Sequence, residues 1–114
     1  MKKRTEKFAR LLKVLSVDTR LQIILHLKGG MLCVNALAAR LKVTQGAVSQ
    51  HLRIMRDAGL VTAEKRGYYV HYRLNKKAVQ ELLLEAGKLL SPENTGSGDH
   101  ECVKKCVKEN ACSR

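Results

Sequence analysis

The chain is short of acidic residues, of long apolar runs and of length itself. Its 114 residues carry 10 Asp and Glu against 22 Lys and Arg, a formal net charge of +12. Its apolar runs, such as Ile23-Ile24-Leu25, fall far below the roughly 20 residues that a bilayer span needs. The basic start Lys2-Lys3-Arg4 is not followed by the apolar core of a secretory signal. There is no internal repeat and no Cys-x-x-Cys redox pair. A chain of this size makes one domain, or one domain plus a tail, which excludes an enzyme with separate cofactor and substrate domains. These absences leave a soluble, intracellular protein with one modest core. Its expected location is the cytoplasm, with no membrane partner.

What is present is distributed unevenly. Residues 1–90 hold 18 Lys and Arg against 6 Asp and Glu, whereas residues 91–114 hold 4 against 4. The whole positive excess sits on the part whose pattern is globular. Such an excess favours a polyanionic partner, most often nucleic acid.

Four helical patterns precede any strand pattern. Thr5 to Leu15 places Phe8, Leu11, Leu12 and Leu15 at three-and-four spacing. Asp18 is a cap candidate for a second helix, Thr19 to Lys28, with Leu21, Ile24, Leu25 and Lys28 continuing the period and Gly29-Gly30 ending it. A third helix is predicted over Val34 to Leu41, with Leu37, Ala38 and Leu41 inward. Thr44 is placed to cap a fourth, Gln45 to Ala58, buried through Val48, Leu52 and Met55 and stopped by Gly59.

Two strand patterns follow. Leu60 to Lys65 leads into a turn at Arg66-Gly67. Tyr68 to Leu74 then alternates, with Tyr68, Val70, Tyr72 and Leu74 on one face and Tyr69, His71 and Arg73 on the other. Asn75 is placed to cap a last helix, Lys76 to Leu90, and Ser91-Pro92 stops it. The polar stretch Ser91 to Gly98 has linker composition. The order α-α-α-α-β-β-α, with only Lys42-Val43-Thr44 between the third and fourth helices, describes a winged helix-turn-helix. The fold is mainly α with a small β-hairpin. Residues 1–90 are expected to form this winged helix-turn-helix domain, and residues 91–114 a linker and cysteine-rich tail.

With Val48, Leu52 and Met55 inward, the fourth helix turns Gln45, Gly46, Ser49, Gln50 and Arg53 outward. Short amide and hydroxyl groups near a helix N-terminus suit the reading of base edges. Gly46 permits close approach. Thr44, Arg53 and Arg56 suit phosphate contacts, and Lys65 and Arg66 at the hairpin tip reach a neighbouring groove or phosphate. His51 lies between the two faces, where it either touches DNA or closes the helix packing. His71 reads as an exposed strand residue and His26 as a helix-surface residue.

The runs Asp18-Thr19-Arg20-Leu21, Leu32 to Ala38, Thr44 to Leu52 and Ala58-Gly59-Leu60-Val61 resemble the ArsR/SmtB family of metal- or metalloid-responsive repressors. The resemblance covers about residues 5–90. It implies a homodimer built by the first and last helices on a partly palindromic operator. It also implies base-contacting roles for Gln45, Gly46, Ser49 and Gln50. The leucine excess of the last helix agrees with a self-association surface, expected to use Phe8, Leu12, Val79, Leu82, Leu83, Ala86 and Leu90.

The family's sensing motif Cys-Val-Cys-Asp-Leu corresponds here to Cys33-Val34-Asn35-Ala36-Leu37. The first cysteine matches; Asn35 and Ala36 depart. The family's Asp, His and Glu site on the last helix is also missing, with Lys76 and Ala78 near its expected start.

The tail supplies Cys102, Cys106 and Cys112. Lys104, Lys105 and Lys108 lie among them and favour the thiolate. On a helical turn Cys102 and Cys106 would have Cβ atoms about 5–6 Å apart. Three thiolates suit a thiophilic ion: arsenic(III), antimony(III), or cadmium, lead or zinc with a fourth ligand. His100 is a further candidate ligand. The 11 residues from Ser91 to Glu101 span at most about 36 Å extended and about 18 Å as a coil. A site shared with Cys33 and a self-contained tail site are both open, as is a buried apolar role for Cys33. The expected function is repression relieved by such an ion. The alternative is a repressor whose thiols sense oxidants or reactive sulfur. An enzyme is not expected, because no nucleophile–base arrangement is evident.

Overall fold

A computed structural model describes residues 2–92 of the chain. Among them the order is α1 (Lys2–Leu15), α2 (Asp18–Leu27), β1 (Leu32–Cys33), α3 (Val34–Leu41), α4 (Gln45–Asp57), β2 (Val61–Arg66), β3 (Tyr69–Leu74) and α5 (Lys76–Leu90). The strands make an antiparallel sheet in the order β1-β3-β2.

Two caps form where the sequence places them. Ala47 N–H donates to Thr44 Oγ1 at 3.1 Å, and Ala78 N–H donates to Asn75 Oδ1 at 3.2 Å. Each bond satisfies one of the donors that a helix start leaves without a partner. Asn75 also donates two bonds of its own. Its Nδ2 donates to the Gly59 carbonyl at 2.9 Å, and its backbone N–H donates to the Leu60 carbonyl at 2.8 Å.

The second helix differs from the expectation. Val17 holds the cap position without a side-chain bond. Asp18 is instead the first helical residue, and Gln22 Nε2 donates to its carboxylate at 2.6 Å. The buried face is Ile23 and Leu27, at 0% and 2% exposure, while Leu21 and Leu25 stand 46% and 64% exposed. Lys28, read as part of the inward face, is the exposed C-cap. Leu21, Ile23, Ile24, Leu25 and Leu27 encircle most of the helix, so periodicity establishes a helix without fixing its rotation.

Strand β1 is absent from the sequence reading. It pairs Leu32 with Tyr72 and Cys33 with His71, and two residues are too few to display alternation. At the other edge Arg66 pairs with Tyr69, so the turn is Gly67-Tyr68 rather than Arg66-Gly67. Gly67 has φ +66°, the left-handed conformation that the first central position of a tight type II′ hairpin requires. Tyr68 therefore sits at the tip, 98% exposed, and not on the strand face where alternation put it.

The core joins three helices to the sheet. Ile23 and Leu27 of α2, Leu37 and Ala38 of α3, and Val48, Leu52 and Met55 of α4 cluster with Val61 and Leu74. Beside this core α1 lies against α5, tied by an ion pair from Arg4 to Glu85. Phe8, Leu60 and Leu82 are buried there and line a cleft of about 560 Å³.

Candidate nucleic-acid interface

The fourth helix is anchored on one side and free on the other. Val48, Leu52 and Met55 are each 0% exposed. Gln45, Gly46, Ser49, Gln50 and Arg53 are all exposed on the remaining face, with Thr44 exposed at its start. Fixing one face in a close-packed core holds the other in a fixed direction. A Cβ built at Gly46 would meet nothing within 4 Å. The chain's own packing thus does not require glycine there, and the missing side chain leaves room on the outer side.

The link before α4 is short because Lys42 bends it sharply. Lys42 ends α3 at φ +57°, in the left-handed region, and Val43 N–H closes back on the Ala38 carbonyl at 3.2 Å. α4 then starts at once, at Gln45, behind the Thr44 cap. Helix N-termini attract anions through their free amides and the helix dipole.

His51 is turned to the interior. Its Nδ1 accepts from Arg20 Nε at 3.1 Å, while Arg20 Nη1 donates to the Val14 carbonyl at 3.1 Å. This chain of bonds ties α1, α2 and α4 together. Of the two roles open to His51, the structure shows packing closure. Burial, and secondly the Arg20 charge, hold its pKa below the ordinary histidine range. The imidazole is accordingly the neutral acceptor that Arg20 needs. Arg20 was not singled out by sequence reasoning, since its partner lies 31 residues away.

The wing presents Lys65, Arg66, Tyr68 and Tyr69. Arg66 Nε donates to Glu64 at 2.6 Å in an exposed pair, which lowers the Glu64 pKa through the hydrogen bond and then the charge. Such pairs are weak in water and open readily to a phosphate. The aromatic tip went unread because the turn was placed one residue early; the two-residue loop rule would have found it.

A helix with a polar outward face, a three-residue turn before it and a basic hairpin after it are now in place. Residues 18–63 match the family model for bacterial regulatory proteins of the arsR family. The chain is 39% identical over 80 residues to the arsenical resistance operon repressor of Bacillus subtilis (strain 168), covering 69% of this chain and 76% of that one. The chain belongs to the ArsR family.

This ArsR-family chain is also 41% identical over 76 residues to the HTH-type transcriptional repressor SmtB of Mycobacterium tuberculosis. That match takes in 67% of this chain but only 56% of SmtB, little more than half the relative's length. Among solved structures it resembles the homodimeric winged helix-turn-helix DNA-binding domain of Mb0332 from Mycobacterium bovis. The TM-score is 0.64 at 25% identity, over 82% of this chain and 88% of that one.

Two other expectations for the ArsR-family chain fall in different places. Of the self-association residues, Phe8 and Leu82 are buried within the chain itself, and Val79 and Ala86 are half-buried. Leu12, Leu83 and Leu90 are exposed, joined by Leu84. Of the metal-ligand candidates, Cys33 is half-exposed at the N-cap of α3. Cys102, Cys106, Cys112 and His100 lie outside the described residues, as does the linker beyond Pro92. Among the described residues no three His, Cys, Asp or Glu side chains converge to hold an ion.

His71 corrects the sequence reading. It is half-buried rather than exposed, and its Nδ1 is buried without a hydrogen-bond partner. The cause is β1, which covers the edge of β3 and places Cys33 directly opposite His71. No helix among the described residues is long and apolar enough to cross a membrane.

Proposed function

We propose that this chain is a cytoplasmic transcriptional repressor that binds operator DNA as a homodimer and leaves it when a thiophilic metal or metalloid ion binds. The observation that carries the DNA-binding part is α4, which buries Val48, Leu52 and Met55 completely and exposes Gln45, Ser49, Gln50 and Arg53. Gln45, Ser49 and Gln50 read base edges. Gly46 allows the approach, and Thr44, Arg53, Lys65 and Arg66 position the chain on phosphates.

Self-association rests on Leu12, Leu83, Leu84 and Leu90, an exposed apolar set on α1 and α5 that water does not favour. Two-fold symmetry sets two α4 helices about one DNA turn, roughly 34 Å, apart. The relatives' names support the regulatory part: one represses an arsenical resistance operon and another is named a transcriptional repressor.

The signal is assigned to Cys33 and to the tail cysteines Cys102, Cys106 and Cys112, with residues 91–114 acting as a reporting segment on the folded residues 1–90. The candidate ions are arsenite, antimonite, cadmium, lead and zinc. Release is a coupling free energy, typically about 1–3 kcal/mol, or roughly 5–150-fold in DNA affinity. The ion-bound dimer favours a spacing of the two α4 helices that no longer fits successive major grooves.

Operator binding by the full chain, followed by fluorescence anisotropy during titration with these ions under reducing conditions, tests the reading. Stoichiometric release supports it. Release only by oxidant or persulfide replaces ion sensing with thiol oxidation. Duplex affinity that does not change with salt removes the DNA-binding reading altogether.

A further inference from the structure

The end of the wing carries an aromatic group that the fold does not ask for. Gly67 alone meets the backbone demand of the two-residue turn, and the second central position accepts any residue. That position holds Tyr68, which is 98% exposed. Tyr69 and Val70 follow at 55% and 38%. A run of exposed, largely apolar side chains is unfavourable in water unless a partner covers it.

The tip stands clear of the body. Every residue from Glu64 to Val70 is exposed, so both faces of the hairpin end are open. At the ordinary rise of a strand, the Arg66–Tyr69 pair lies about 17 Å beyond the buried Val61–Leu74 pair, and Tyr68 lies further out. Half a turn of duplex, the axial distance from a major groove to the adjoining minor groove, is also about 17 Å.

The charge around the tip selects the partner. Lys65 and Arg66 adjoin the turn, and the segment's acidic residue, Glu64, is already paired with Arg66. Opposite Lys65 and Arg66 stand Val70 and Tyr69. Cations interleaved with aromatic and aliphatic groups suit a surface that is anionic at its rims and flat within. The minor groove is such a surface: phosphates line it, and sugars and base edges floor it.

We propose that Tyr68 is a specificity-determining residue that enters the minor groove beside the major groove read by α4 and favours A·T pairs there. The inference deepens the DNA-binding reading of α4 and rests on it. In the minor groove A·T pairs present only acceptors, which the phenol O–H meets as a donor. Guanine adds an amino group, itself a donor, where the ring would lie. Tyr68 thus discriminates at a base pair that α4 does not read, while Lys65 and Arg66 hold the tip to phosphates without regard to sequence.

The test uses the full-length chain and the duplexes it selects from a randomised pool, with affinity followed by fluorescence anisotropy. The parent is expected to select A·T at a position adjoining each half-site. Changing that pair to G·C lowers affinity about five- to tenfold. Inosine·C, which keeps the major-groove face of G·C and lacks the guanine amino group, restores it. Tyr68→Ala is expected to abolish the difference between A·T and G·C at that position and to leave the salt slope unchanged, since no charge is lost. Arg66→Ala lowers the salt slope and keeps the A·T preference. The chain has no tryptophan, so Tyr68→Trp adds a single indole, whose quenching by iodide is expected to fall on the bound duplex.

Selected duplexes without such an A·T position, a preference that Tyr68→Ala leaves intact, or a G·C penalty that inosine does not relieve overturns the proposal while operator binding stands. An indole equally open to iodide with and without DNA does the same. Duplex binding that does not depend on salt removes the DNA-binding reading, and this inference with it.

Discussion

Helices α4 and α5 are built to similar length and end in opposite conditions. α4 has three apolar residues on its buried stripe, and all three are 0% exposed. α5 has five leucines, of which the chain buries only Leu82, while Leu83, Leu84 and Leu90 stand 65%, 66% and 71% exposed. α4 uses its apolar residues to fix itself and leaves a polar face unoccupied. α5 carries more apolar surface than this chain can cover. One helix is finished on its greasy side and open on its polar side; the other is open on its greasy side. The first arrangement addresses a hydrated, charged partner. The second addresses a partner as apolar as itself, and a second copy of α5 meets that description.

The largest effect that tests this contrast is on α5. Leu83→Asp with Leu84→Asp is expected to convert dimer to monomer in sedimentation velocity. Losing the second reading helix lowers operator affinity by about 10²–10⁴-fold, with the thermal midpoint little changed. A dimer that survives both substitutions would show that the excess leucines serve something else.

Next comes Leu52→Ala, on the finished side of α4. Emptying a fully buried site is expected to lower stability by about 2–5 kcal/mol in denaturant titration. Gln50→Ala, on the open side, reverses the pattern. Stability is unchanged, and operator affinity falls by about 1–3 kcal/mol, with relaxed preference at one base position and the same salt slope.

Thr44→Ala removes the α4 cap and is expected to cost about 1 kcal/mol of stability. Thr44→Ser recovers most of it. The smallest effect concerns His51, whose pKa lies below the ordinary value of about 6.5. Between the lowered value and the ordinary one, the unfolded chain binds more protons than the folded chain, so stability rises with pH across that window. The contribution is complete above about pH 6.5 and is lost as the pH falls through the lowered value. Melts at about pH 7.5 and about pH 5 should differ more for the parent than for His51→Gln.

Much of this was legible without coordinates, for reasons that differ by element. α3 and α5 run over the residues that periodicity assigned to them. The caps at Thr44 and Asn75 were legible because capping is a local bond between residues three apart. The outward set on α4 was legible because only one rotation buries Val48, Leu52 and Met55 together. α2 was legible as a helix but not in its rotation, since apolar residues surround it. What escaped was non-local. β1 exists only because β3 accepts it. His71 is half-buried only because β1 covers it, and the role of His51 depends on Arg20. The thiol-rich tail was named from composition and spacing alone, and its residues lie outside those described.

Asn75 has a consequence that its role as a cap conceals. Its side-chain oxygen holds the first turn of α5. Its amide nitrogen holds Gly59, at the end of α4, and its backbone N–H holds Leu60, at the root of the wing. The first turn of α5 and the turn that ends α4 are thus pinned to the same side chain. A swing of α5 about its first turn would load the Asn75 bonds to Gly59 and Leu60. One residue thus joins the start of α5 to the turn that follows α4.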